Sequence, residues 1–191
     1  EWKVLGPKLK KLLRAGGVDP KAVERHERKL RHDIIAFTTA VADQVGPTSR
    51  YVHFGLTSSD VLDSALSLQI QEALSLIEIE IKRMLSVLEK RSKQFRSLPT
   101  IGRSHGIFAE PTSFGLKFLA WYCEWRRNSE RLKVASESCA YGKLSGAVGV
   151  NAHWEPNFEK RVLQKLGLKR EPVSTQVVPR DRHAELMNTL A

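Results

Sequence analysis

A chain of 191 residues with 31 Lys and Arg against 21 Asp and Glu carries a formal net charge of +10, and 41% of its residues are hydrophobic. That composition suffices for a packed core, while no apolar run approaches the thickness of a bilayer and no secretion signal opens the chain, which predicts a soluble, cytoplasmic protein. The basic excess suits an anionic partner, but Lys8, Lys10 and Lys11, Lys90, Arg91 and Lys93, and Arg126 and Arg127 are scattered, without the aromatic interleaving of a nucleic-acid face.

From Trp2 to Leu13 the pattern predicts a basic amphipathic helix, broken by Ala15-Gly16-Gly17. Asp19 is placed to cap a second helix whose first turn holds Pro20. Arg31-His32-Asp33 reads as continuing helically into Ile34, Ile35, Phe37 and Val41, until Gly46-Pro47 stops the pattern. Glu1 is not Met and Ala191 falls inside a newly begun helix, so both ends read as cut.

His53-Phe54-Gly55-Leu56 leads into Thr57-Ser58-Ser59-Asp60, which begins a helix running to about Phe95 with no internal Pro or Gly. Its apolar residues, among them Leu68, Ile70, Leu74, Ile77, Ile79, Ile81 and Leu85, cover more than a narrow stripe. A helix of that length predicts an extended bundle. The free N–H groups of its first turn attract carboxylate or phosphate, although Ser and Asp there are also ordinary caps.

Ser97-Leu98-Pro99 ends that helix, and Ile101 to Ala109 reads as a loop containing Gly102-Arg103-Ser104-His105-Gly106. Imidazole titrates near neutrality and can hand a proton to a leaving group, and the two glycines permit close approach. His105 is thus the foremost catalytic candidate. Pro111 reads as the start of a second long helix reaching Tyr141, and Lys143 to Gly149 as flexible. A short helix from Glu155-Pro156 to Gly167, an extended Pro172–Pro179 and a last helix from about Asp181 complete the pattern.

Cys123 and Cys139 are too few for a disulfide framework, and each lies in a helical pattern, which predicts reduced packing residues. No zinc, EF-hand or nucleophile-elbow spacing occurs, so neither a metal nor another cofactor is expected.

Arg31-His32-Asp33, His53 to Asp60, Gly102 to Gly115 and Ser174-Thr175-Gln176 with Arg180-Asp181-Arg182-His183 together resemble the fumarase/aspartase superfamily, and within it the adenylosuccinate lyase family, from Arg31 to Leu190. Before about residue 30 the match is weak. An N-terminal nucleotide-binding Arg-Tyr pair is missing from that weakly matching stretch, and the Ser-Ser-x-Met-Pro loop that supplies the family's base is not found between Glu1 and Ala191.

The resemblance implies an all-α fold, a long-helix bundle preceded by a small helical region, with residues 1–57 in the latter and 58–191 in the first part of the bundle. It implies β-elimination of fumarate from a small anionic substrate and a homotetramer whose sites are shared between chains. His105 matches the general acid. Thr57 and Ser58 match residues holding the succinyl carboxylate, Arg31, His32 and Asp33 a substrate-binding cluster, and Gln176 a substrate contact. Ser104 and His53 fall in or near the site. Argininosuccinate lyase, a basic nucleic-acid-binding module and an inactive fold core remain open alternatives.

Overall fold

In the computed structural model residues 17–191 are described, so the helix expected at Trp2–Leu13 lies outside them. Asp19 caps α1 (Pro20–Leu30) by accepting from the Lys21 N–H at 3.0 Å. The chain then breaks: Arg31 takes a left-handed conformation, φ 51°, and His32 is extended, so α2 (Asp33–Val45) is a new helix rather than a continuation. Ala36 and Ala40 are fully buried one turn apart, and His26 Nε2 reaches Asp43 Oδ2 at 2.6 Å, which ties the two helices together. Val41 and Val45 pack with Val18 and Val52 as a small separate core, and a 3-10 turn (Gly46–Tyr51) leads away.

Helix α3 (Ser58–Gln94) has the expected extent. Its buried positions Asp60, Ser67, Leu74, Ile81 and Leu88 recur every seventh residue, which is the seam of a helix packed lengthwise on a partner. The first two are polar and the last three apolar, so one seam serves two purposes. The apolar part meets α4 (Phe114–Cys139), whose Leu132, Ala135 and Cys139 complete the main core with Leu186. The C-terminal helix α6 (Asp181–Leu190) supplies Leu186 and closes this three-helix packing.

Between α3 and α4 stands a feature that the sequence does not announce. Ile101–Ala109 is not a loop: β1 (Pro99–Ser104) and β2 (Ile107–Ser113) form an antiparallel hairpin with a bulge between Ile101 and Arg103. Pro111 consequently lies in β2 opposite Ile101, and α4 starts at Phe114. A two-stranded sheet has only edges, where a proline's missing N–H is harmless. The hairpin's base is fastened to the end of α3, since Ser113 Oγ donates to Arg96 O at 2.6 Å and Gly115 N–H donates to Phe95 O at 3.0 Å.

After α4 the chain makes β3 (Tyr141–Gly142), parallel to β4 (Lys169–Arg170), with α5 (Pro156–Lys165) between them. The bundle is otherwise all-helical. Lys143, Leu144 and Ser145, expected to be flexible, are buried. No helix among the described residues is long and apolar enough to cross a membrane.

Candidate functional site

Four non-glycine residues among those described have positive φ: Arg31, His53, His105 and Asn151. Such conformations cost energy and gather where function holds them in place. The first three are candidates picked out by the sequence.

Ser104 pairs with Ile107, leaving His105 and Gly106 as the two-residue turn of the hairpin, at φ 54° and 77°. Positive φ at both positions defines a type I′ turn, which fits the strand twist and favours Asn-Gly. Histidine there departs from the cheapest choice. Ser104 and His105 are exposed, and Phe108 beside them is 73% exposed with the Arg103 guanidinium over its ring. The hairpin holds an imidazole out from the bundle.

Thr57 caps α3, and Asp60 reaches back so that Oδ2 accepts from the Thr57 N–H at 2.9 Å. Just before it, His53 to Leu56 make a turn closed by the Leu56 N–H on His53 O at 3.1 Å. Gly55 in that turn, φ 70°, packs so tightly on His153 and Trp154 that a Cβ would collide with both. His53 Nε2 is buried without a hydrogen-bond partner among the described residues.

Gln176 is exposed, on the segment between β4 and α6. That segment is tied to the same end of α3: Asp63 Oδ2 accepts from the Val178 N–H at 2.8 Å and Oδ1 from Arg180 at 2.9 Å. His53, Thr57, Ser58 and Gln176 therefore share one end of the molecule. At the elbow, His32 Nδ1 lies 3.4 Å from the Ile35 N–H and 3.3 Å from Asp33 Oδ1. The neutral ring can cap α2 and the protonated ring can pair with Asp33, while Arg31 remains exposed.

The structure does not bring His105 to the Thr57 end. Helix α3 has 37 residues, so it is about 55 Å long at 1.5 Å per residue. The hairpin springs from its far end and can reach at most about 30 Å from Phe95, which leaves at least about 25 Å between His105 and Thr57. A groove of about 320 Å³ between α3 and α4, lined by Gln71, Ser75, Glu78, Ser129, Lys133 and Glu137 among others, includes none of the candidate residues.

Sequence reasoning missed the buried charges that organise the Thr57 end. Lys143 and Asp60 are an ion pair with both side chains fully buried. Glu159 is buried and holds the Leu144 N–H at 2.9 Å and Arg170 Nε at 2.6 Å. Glu171 takes two hydrogen bonds from Arg182, whose guanidinium also lies 3.6 Å from the centre of the Tyr141 ring. Burial works against the charge on Arg182, but the bonds and charge of Glu171 outweigh it and raise its pKa. No local pattern reports these pairings, because Asp60 and Lys143 are 83 positions apart and Glu159–Arg170 and Glu171–Arg182 each bridge separate elements. Cys123 also departs from expectation: it is exposed, and only Cys139 is buried.

A family described simply as lyase matches residues 18–191. The adenylosuccinate lyase of Thermotoga maritima is 50% identical over 174 residues, covering 91% of this chain and 40% of that protein. That of Bacillus subtilis is 45% identical over 165 residues, 86% of this chain and 38% of that protein. The chain thus spans 38–40% of the length of these two relatives. A fumarate lyase from Mesorhizobium sp. BNC1 superposes with a TM-score of 0.87 over 96% of this chain and 44% of that one, at 23% identity. The 3-carboxy-cis,cis-muconate lactonizing enzyme of Pseudomonas putida gives 0.78 over 90% and 40%, at 25% identity.

Proposed function

The chain belongs to the lyase family that matches it over residues 18–191, and on that footing we propose that the protein works as an adenylosuccinate lyase, releasing fumarate from adenylosuccinate and from the related succinyl-aminoimidazole carboxamide ribotide. The relatives that carry the first of these names are 45–50% identical to it. The reading places the protein in the cytoplasm, with residues 1–57 as a small helical region and 58–191 as part of the bundle.

In such an elimination a base takes the proton from the carbon beside a succinyl carboxylate. The C–H electrons form the new C=C bond, the C–N bond breaks, and its electron pair stays on nitrogen. His105 protonates that nitrogen, while Thr57 and Ser58, at a helix start rich in free N–H groups, hold the carboxylate on which negative charge grows. Arg31, His32, Asp33 and Gln176 bind the rest of the anionic substrate, and Ser104 and His53 lie at its margin. No residue of this chain is assigned the base.

One observation carries the reading: His105 occupies a left-handed turn position, exposed at the tip of a clamped hairpin. Its separation from Thr57 is what a site shared between chains requires. Leu62, Leu66, Ile77, Ile79, Met84 and Val87 on α3, with Leu116, Leu119 and Trp121 on α4, are exposed apolar residues that a homotetramer would cover. The test is fumarate release from adenylosuccinate by the full-length protein. Activity lost in a folded His105→Ala variant supports the assignment, and activity retained there rejects it.

A further inference from the structure

The fully buried pair Asp60–Lys143 joins the first turn of α3 to the segment that follows α4. Asp60 spends its second oxygen on two backbone groups at once, accepting from the Thr57 N–H at 2.9 Å and from the Gly146 N–H at 3.1 Å. Lys143 Nζ in turn donates to Gly146 O at 3.0 Å, and Ser64 Oγ, one turn along α3, donates to Lys143 O at 3.1 Å. Both charges are thereby satisfied inside a closed ring of contacts. The ring continues outward, because Ser145 Oγ lies 2.7 Å from Ser174 Oγ, two residues before Gln176.

A buried ion pair adds little net stability, since taking both charges out of water costs about as much as their attraction returns. What it provides is geometry. We infer that Asp60 and Lys143 are positioning residues: a latch that fixes Thr57 and Ser58 relative to the Gln176 segment, and so shapes the pocket for a dicarboxylate without touching it. This rests on the lyase reading above.

The experiment uses the full-length protein and fumarate as the probe. The double variant Asp60→Asn/Lys143→Met removes both charges, and with them the ion pair and the Lys143 Nζ bond to Gly146 O, while the carboxamide oxygen can still accept from the Thr57 N–H, so the helix cap survives and the charged latch does not. The expected result is a melting temperature within a few degrees of wild type, with fumarate affinity weakened about 10- to 100-fold and KM raised in step, the scale of a lost charge-assisted hydrogen bond. Fumarate affinity and kcat/KM within twofold of wild type would overturn the latch and leave the pair merely structural.

Should the double variant fail to fold, Ser145→Ala decides, because it cuts only the link to Ser174. A several-fold weaker fumarate affinity supports the latch there, and an unchanged one overturns it. A wild type that binds fumarate but releases none from adenylosuccinate removes the lyase reading alone, and the fumarate affinities of the variants still decide the latch. A wild type that binds no fumarate overturns the latch too.

Discussion

His105 and Gly106 have φ values of 54° and 77° and are together the whole turn of the hairpin. A left-handed conformation is easy for glycine and tolerable for asparagine, whereas most side chains lose roughly 1–2 kcal/mol there. His105→Asn should therefore leave the hairpin intact and stabilise the protein by roughly 0.5–1 kcal/mol, while turnover falls by about 10²–10⁴-fold for want of a proton donor. Urea unfolding and a fumarate-release assay on the same preparation check both halves. Wild-type turnover in this variant would remove His105 from the mechanism.

Helix α3 is legible from sequence because nothing from Thr57 to Phe95 interrupts it: there is no Gly, no Pro, and apolar residues recur at helical spacing. The hairpin after it is not. Gly102 sits at the bulge, where it breaks the alternation that marks a strand, and Pro111 imitates a helix start while lying in an edge strand. The elbow at Arg31 fails for a related reason, since a left-handed arginine leaves no compositional trace. Lys143 to Gly149 looks flexible because Gly and Ser are common in loops. It is held by Asp60, 83 positions earlier, and no local pattern reports such a partner. For the candidate residues the sequence reports type and order but not place: that His105 sits in a hairpin turn and that the Gln176 segment is tied to α3 depends on packing between distant segments.

Gly115 stands where α4 crosses the end of α3, and a Cβ there would lie 2.5 Å from Ser92 O and 2.8 Å from Arg96 N. Both are backbone atoms, so no side chain can swing aside. Gly115→Ala should force the helix ends apart, cost about 1–3 kcal/mol as overpacking does, and lower turnover by tilting the hairpin that carries His105. Gly106→Ala is the control: it meets open space, and only its positive φ resists the substitution. Chemical denaturation of the two variants should show the larger loss for Gly115→Ala.

Cys139 donates its thiol to Arg182 O at 3.2 Å inside the core. Burial pushes its pKa up, the nearby charge of Glu185 adds to this, and Arg182 opposes it. The raised pKa leaves less thiolate at neutral pH, and thiolate is the reactive form. In the 191-residue chain as a monomer, iodoacetamide at pH 7.5 should label the exposed Cys123 and spare Cys139 until the protein unfolds. Mass spectrometry of the peptides reads this directly, and equal labelling of both in the native protein would contradict the packing of α4 against α6.

The separation of His105 from Thr57 and Ser58 along α3 makes a sharper demand on the assembly. If one site takes its imidazole from one chain and its carboxylate-binding hydroxyls from another, two different inactive variants can repair each other. Full-length His105→Ala and Ser58→Ala proteins should each be nearly inactive alone. Dissociated, mixed in equal amounts and reassembled, a site has an even chance of drawing His105 from a chain that still has it and an independent even chance of drawing Ser58 likewise. About a quarter of the sites then contain both, and activity should recover to about a quarter of wild type. Were both residues supplied by the same chain, every site in the mixture would lack one of them and no activity would return. A failure to recover activity from a properly reassembled mixture would thus require a bend in α3 or the hairpin large enough to close a gap of at least about 25 Å, against the unbroken helix observed from Ser58 to Gln94.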